Sequence, residues 1–336
     1  MQLKDFDYEL PEDLIAQFPL PKRDEARLMV IDRAQQKITH DRFFNIGKYL
    51  PQQSLIVINN SKVIPARLLG RKERSGGKVE IFLLNRLPDG YSFRTLLRPL
   101  RKVQNGDKII FNGNSVVAEI KDWKKRIVRF NRKDVLAHLD RIGHMPLPPY
   151  IKRPDNPEDR AFYQTVYARH PGSVASPTAG LHFTKELLSR LKKEGHAIEP
   201  VTLHVNYATF KEVEVDDITQ HPMQAESYSL SAPTAKRIQQ AQRNKRPVVA
   251  IGTTACRVLE TMVASGKLKG ETNLFIYPGY SFQTVNQLVT NFHLPRTSLL
   301  MLAYAFGSPE LIKKAYREAI EQKYRFYSYG DAMMII

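Results

Sequence analysis

The period of the apolar positions changes twice along the chain. Early on, residues 26–32 ("ARLMVID") and 54–59 ("SLIVIN") are short continuous apolar runs, the pattern of strands buried on both faces. From residue 63 to 130 the texture becomes a series of short β-forming runs: "KVEIFLLNRL", "YSFRTLL", "GDKIIF", "SVVAEI" and "RIVRF". Turn signals separate them ("SGG", "PDG", "QNGD", "NGN"). Half a dozen strands at this spacing predict a small antiparallel barrel. Beyond it, "DVLAHLDRIGH", "PEDRAFYQTVYARH" and "KELLSRLKKEGH" read as helices, the last closing on basic residues and Gly195. Strands are then expected at "EPVTLHV", "RPVVAIG" and "TNLFIY", with helices at "APTAKRIQQAQRN" and "TACRVLETMVAS".

This order predicts an α/β fold: a discontinuous α/β body, residues 1–61 and 154–336, carrying an inserted small antiparallel β-barrel domain, residues 62–153. The Pro-rich stretch "HMPLPPYIKRPDNP" is read as the return hinge, because prolines stiffen a chain and exclude helix. Neither an internal repeat nor a low-complexity tract interrupts the pattern.

Composition adds one decisive feature. An apolar content of 42% and a mean hydropathy of −0.38 are ordinary for a soluble globular chain. The net charge of +17 is not ordinary, and it is segregated: residues 62 to 133 hold 19 lysines and arginines against 6 acidic residues, which is +13 of the total. Such segregation exceeds what solubility needs and points to a polyanion, with phosphate contacts that position a nucleic acid without reading its sequence. The first residues lack the basic start and apolar run of a signal peptide, and no segment offers about 18 uninterrupted apolar residues. The single cysteine, Cys256, suits a reducing compartment and reads as a packing residue. A cytoplasmic monomer that makes no membrane contact is therefore expected.

The usual catalytic signatures do not occur: there is no G-x-S-x-G, no G-x-x-x-x-G-K-[ST], no G-x-G-x-x-G, no H-E-x-x-H and no cysteine pair for zinc. What remains is a set of polar segments at strand ends and helix starts. The stretch "ASPTAGLHFT" supplies Ser176, Thr178 and His182, with Thr184 as the expected N-cap of a helix from Lys185. In "AIGTTACRVLE", Gly252 allows close backbone approach, Thr253 and Thr254 open a helix suited to an anion, and Arg257 adds charge one turn on. A capped helix alone would account for the same letters. Tyr277 and Tyr280 flank a Pro-Gly turn that either stacks a base or packs a corner. Asn291 and His293 precede Pro295, His293 being a candidate ligand or proton carrier. His204 lies late in a strand, and His221 with Glu226 is too small a set to argue for a metal.

Taken together, "DFDYELP", "LIAQFP", "VINNSKVIPARLLG", "GSVASPTAGLHFT", "TLHVNYATF", "IGTTACRVLE", "LFIYPGYSF" and "TNFHLPRTSLLMLAYAFG" resemble the S-adenosylmethionine:tRNA ribosyltransferase-isomerase family of queuosine biosynthesis along nearly the whole chain. The resemblance implies an inserted β-barrel on an α/β body. It also implies a reaction: the ribosyl part of S-adenosylmethionine moves to 7-aminomethyl-7-deazaguanine at the tRNA wobble position, giving epoxyqueuosine while adenine and methionine leave. S-adenosylmethionine is then a consumed cosubstrate, tRNA bearing the modified base is the partner, and no metal is called for. Such chemistry needs a base at the ribose 5′ carbon beside the sulfonium and a group to protonate departing adenine. On residue type, the catalytic candidates are His293, His182, His204 as a reserve, and Glu226 for adenine. The cosubstrate-binding candidates are Ser176, Thr178, Gly252, Thr253, Thr254, Arg257, Tyr280 and Asn291, and Arg67 is a candidate for tRNA phosphate.

The chain departs from the family's usual wording at Asn60, Lys62, Asn206, Ala208, Gln224 and Asn286, while the longest motifs stay whole. Two other readings remain open: an S-adenosylmethionine-dependent RNA methyltransferase, and a non-catalytic RNA-binding protein in which the basic barrel does everything.

Overall fold

A computed structural model describes residues 1–111, 115–210 and 212–336; the "NGN" turn signal at 112–114 lies outside them, as does the side chain of Ala208. A nine-stranded sheet forms the body. Its centre is Leu55–Asn59, which pairs in parallel with Ala197–Leu203 on one side and Val248–Ile251 on the other. Val248–Ile251 pairs in parallel with Gln287–Asn291, which runs antiparallel to the C-terminal strand Ala332–Ile335. Arg27–Asp32 and Lys37–Arg42 complete that edge, and Glu226–Ser229 with Lys269–Thr272 complete the other.

The central strands are apolar throughout because alternate residues face opposite layers. Leu55, Val57, Val248, Ala250 and Leu288 join one core with the helices Ala232–Arg243, Gly252–Ser265, Ser298–Gly307 and Pro309–Glu321. Ile56, Ile58, Val249, Ile251 and Val289 join a second core with Phe43, Ile46, Leu187 and Leu191. A strand buried on both faces shows no alternation, which is why these runs read as continuous.

The basic stretch forms the barrel. Six strands, Arg67–Lys72, Lys78–Arg86, Ser92–Arg98, Ile127–Phe130, Val117–Asp122 and Lys108–Ile110, follow one another around it, and the first pairs with the last to close it. Gly70 sits at the closure, where a Cβ would lie 2.5 Å from Ile109 Cγ2, so a larger residue would push the seam apart. The barrel has its own core, including Leu68, Ile81, Phe93, Leu97, Ile109 and Val128. Alternation sends Arg94, Leu96 and Arg98 outward while Phe93, Thr95 and Leu97 point in.

Three expectations change. The run "PEDRAFYQTVYARH" forms helix only over Asp159–Phe162; Tyr163 then plunges into the junction core, and the Arg169 N–H bonds to the Asn60 carbonyl, drawing the chain into an edge strand at His170–Ser173. In "DVLAHLDRIGH", two short helical turns, Val135–His138 and Leu139–Ile142, replace one helix. The strand expected at "TNLFIY" lies upstream at Lys269–Thr272, paired with Glu226–Ser229, and the apolar residues after it pack as irregular chain. No helix among the described residues is long and apolar enough to cross a membrane.

Candidate functional site

The parallel strands end on the same side of the sheet, and the loops leaving them converge there, the usual place for a ligand in an open α/β sheet. The cleft they form is lined by Ser176 to Ala179, Val205, Gly252 to Thr254, Thr290 to Leu294, Tyr150 and Tyr327. It is narrow and closely shaped, with a free volume of about 60 Å³. No charged side chain among the described residues lines it.

Each wall has a local cause. Gly252 adopts φ +87°, a left-handed turn natural to glycine, and the helix Gly252–Ser265 starts at once, so Thr253 and Thr254 stand on its first turn at the cleft. Across from them, Ser176 and Thr178 precede Thr184, whose side chain accepts from the Leu187 N–H and starts the next helix as expected. Asn291 is the last residue of its strand. Its Nδ2 donates to the Tyr327 carbonyl at 3.0 Å and to His182 Nε2 at 3.1 Å, leaving its Oδ1 without a partner among the described residues.

His293 lines the cleft from a tightly held position. Its N–H donates to the Tyr316 hydroxyl, its carbonyl accepts from the Tyr8 hydroxyl, and its Nε2 lies 2.8 Å from Thr290 Oγ1. Burial lowers its pKa to about 3, so the imidazole is neutral at physiological pH.

Other candidates fall elsewhere. His182 is buried behind Asn291, against the Phe43 ring at 5.0 Å, and lines a separate small pocket with Arg23 and Tyr329; burial lowers its pKa to about 4. It holds Asn291 instead of facing the cleft. Arg257 points away from the cleft into a buried ion pair with Glu226, and its Nε donates to the Leu274 carbonyl. This removes both from the roles expected of them, because each neutralises the other, and Glu226 lines a different pocket. Tyr280 is a packed corner: its hydroxyl donates to Glu260 Oε2 at 3.2 Å and its ring lies 5.0 Å from Phe282. His204 follows the end of its strand, packed on Gly172, with burial lowering its pKa. Cys256 is fully buried, and burial pushes its thiol pKa up, as suits a packing residue.

Two cleft residues, Tyr150 and Tyr327, lie outside the motifs singled out from the sequence. Tyr150 sits in the Pro-rich return segment, and Tyr327 in "KYRFYSYGD", whose run of tyrosines ending in glycine was the available cue. Among the departures from family wording, Asn60 Oδ1 accepts from Thr202 Oγ1, Asn286 Oδ1 accepts from the Val248 N–H, and the Asn206 N–H donates to Glu226. These are structural bonds away from the cleft. Among the described residues no group of three or more His, Cys, Asp or Glu side chains converges as metal ligands would.

Outside the cleft, the outward barrel face carries Arg71, Lys78 and Arg98 around a groove of about 940 Å³. A second groove of about 520 Å³ adjoins it, between Arg67, Arg98 and His144 on one side and Pro148 to Asp155 on the other. Arg67 is half-buried and held by Glu80 at 2.9 Å.

An α/β enzyme with a cleft at its strand ends and a cationic barrel beside it is the class that this fold and site define. The profile of a family described as "Queuosine biosynthesis protein" matches residues 3–335. A Sulfurihydrogenibium protein named S-adenosylmethionine:tRNA ribosyltransferase-isomerase is 47% identical over 337 residues, covering 100% of both chains. One of the same name from Carboxydothermus hydrogenoformans is 47% identical over 342 residues, again covering 100% of both. A crystal structure of S-adenosylmethionine tRNA ribosyltransferase from Thermotoga maritima is 36% identical, covers 99% of this chain and 100% of its own, and superposes with a TM-score of 0.58. The chain belongs to the queuosine biosynthesis protein family.

Proposed function

We propose that the protein transfers and isomerises the ribosyl moiety of S-adenosylmethionine onto 7-aminomethyl-7-deazaguanine at the wobble position of tRNA, forming epoxyqueuosine and releasing adenine and methionine. The single observation that carries the reading is the placement of a narrow cleft, free of charged side chains among the described residues, at the strand ends next to a cationic barrel. The Tyr150 and Tyr327 rings in the cleft suit a sulfonium cation, and exposed arginines suit an RNA backbone. The names of the relatives supply the reaction class.

In this reading, neutral His293 takes the proton from the ribose 5′ carbon, which the adjacent sulfonium acidifies. The electron pair left on that carbon drives the sugar's rearrangement, in which the C1′–N bond breaks and adenine departs with a proton. The aminomethyl nitrogen of the RNA base bonds to the sugar and loses a proton, which balances the one that leaves with adenine. A sugar oxygen displaces the sulfur as the epoxide closes, so methionine leaves. Thr253 and the helix amides after Gly252 hold the methionine carboxylate without help from Arg257. Ser176, Thr178 and Asn291 contact the nucleoside from the facing wall. Residues 62–153 act as the tRNA-contacting domain.

The test is incubation with tRNA bearing 7-aminomethyl-7-deazaguanine and S-adenosylmethionine, following free adenine and nucleoside mass. Adenine release with the mass gain of the transferred ribosyl group is expected. S-adenosylhomocysteine as product would make the protein a methyltransferase and overturn the reading. A silent reaction with retained RNA binding would leave only an RNA-binding protein.

A further inference from the structure

Four buried polar atoms, all on residues that line the same cleft, have no hydrogen-bond partner among the described residues: Ser176 Oγ, Thr254 Oγ1, Asn291 Oδ1 and the Tyr327 hydroxyl. Leaving one such group unsatisfied is unfavourable in a folded protein, and several around one cavity mark a surface completed by a ligand. Tyr327 is the most constrained of them. Its backbone has φ +70°, a left-handed conformation that bulky L-residues rarely adopt. It is held there from both ends: its N–H donates to the Phe292 carbonyl, and its carbonyl accepts from Asn291 Nδ2 and from the Gly330 N–H. The Tyr150 ring stacks on its ring, with centroids 4.4 Å apart and planes at 21°, and the Tyr150 hydroxyl is 2.6 Å from Ser328 Oγ. Strain maintained by such over-determination belongs where a side chain must be aimed.

The chemistry of the four atoms narrows the ligand. Asn291 Nδ2 is occupied, so its Oδ1 only accepts. Burial raises the Tyr327 pKa, keeping the phenol protonated and able to donate. Two aliphatic hydroxyls do either. A set that must give and take hydrogen bonds without charge matches a pair of neighbouring hydroxyls, each of which donates once and accepts twice.

We propose that Tyr327, with Asn291, Ser176 and Thr254, forms a recognition site for the ribose hydroxyls of the nucleoside cosubstrate, the Tyr150 ring bracing Tyr327 in position. This rests on the reading of the cleft as the cosubstrate site and assigns a substrate contact within it.

The test is binding of 5′-methylthioadenosine and of its 2′-deoxy and 3′-deoxy forms to the full-length protein and to Tyr327→Phe, measured by calorimetry without RNA. Removing one neutral hydrogen bond weakens binding by roughly threefold to tenfold, more when a buried partner is stranded. The wild type is therefore expected to lose about tenfold for at least one deoxy form. Tyr327→Phe should bind the parent about tenfold more weakly and no longer discriminate against that form. Its melting temperature should stay the same or rise, because a buried hydroxyl without a partner has gone. Parent binding equal to wild type, an undiminished deoxy penalty, or a fall in melting temperature with unchanged affinity would each overturn the assignment. Tyr150→Leu should weaken binding in the same direction; if it strengthens binding, the bracing role fails. Wild-type protein that releases no adenine from S-adenosylmethionine on substrate tRNA would sink the broader reading of the cleft, whereas normal release alongside a neutral Tyr327→Phe would sink only this one.

Discussion

Body and barrel handle polarity in opposite ways. In the body, polar groups are buried and interlocked: Arg257 with Glu226, Asn291 with His182 and Tyr327, and Glu260 accepting from the backbone of Gln283, Thr284 and Val285. In the barrel, acidic side chains are matched by neighbours, as in Lys72 with Asp107 and Arg129 with Asp89, and the surplus of positive charge, including Lys78, Arg94, Arg98 and Arg101, stands in solvent. A buried polar group serves the fold and the site at once, whereas an exposed charge serves neither core nor cap and remains available to a partner. Substitutions at the paired polar groups of the body should therefore cost stability; those at the barrel's exposed charges should change RNA affinity alone.

The largest expected break is at His293. Removing a general base typically lowers turnover by about 10²- to 10⁴-fold, so His293→Ala should do so in single-turnover adenine release while tRNA affinity is kept. Near-normal turnover in a folded variant would remove it as the base. Next comes the buried ion pair. Arg257→Met strands the Glu226 carboxylate and should lower unfolding free energy by about 3–5 kcal/mol in denaturant melts. Adding Glu226→Gln should recover much of that loss; if it does not, the pair is more than structural.

A pH series sharpens the contrast further. His182 and His293 carry pKa values of about 4 and about 3 in the fold, against 6.5 when unperturbed, because burial disfavours their charged forms. Between those values the unfolded chain binds more protons, so stability is full above about pH 6.5 and falls as the pH drops toward 4 and 3. The slope is at most about 1.4 kcal/mol per pH unit for each histidine. The lowered pKa values of His196, His204 and His221 act in the same direction. A melting temperature that is flat from pH 7 to pH 5 would contradict the buried neutral state. The smallest stability effect belongs to the barrel: Arg98→Ala should shift unfolding by no more than about 0.5 kcal/mol. It should weaken tRNA binding and reduce the slope of log affinity against log salt by about one unit. A loss of S-adenosylmethionine binding in this variant would undo the separation of the two regions.

Much of this was legible in advance where a residue's own pattern decides the outcome. The runs "SLIVIN" and "RPVVAIG" became central strands because continuous apolar sequence can only be buried on both faces, and Thr184 capped its helix as its place before "KELL" implied. The failures came where neighbours decided. Tyr163 and the bond from Arg169 to Asn60 unwound an expected helix. Arg257 looked free one turn into its helix, and nothing local reveals that Glu226, 31 positions earlier, would meet it.

The sequence by itself determined the alternation that makes a barrel, the apolar runs that make a doubly covered sheet, and the segregated charge, since each depends on side-chain order within a few residues. Only the tertiary structure decided which polar groups would face the cleft and which would be consumed in pairing. Tyr150 and Tyr327 lie 177 positions apart and stack only because the return segment from the barrel crosses the C-terminal end of the body. A hydrogen-bonding group has no role until its surroundings say whether a partner is already there, and that information exists only once distant segments meet.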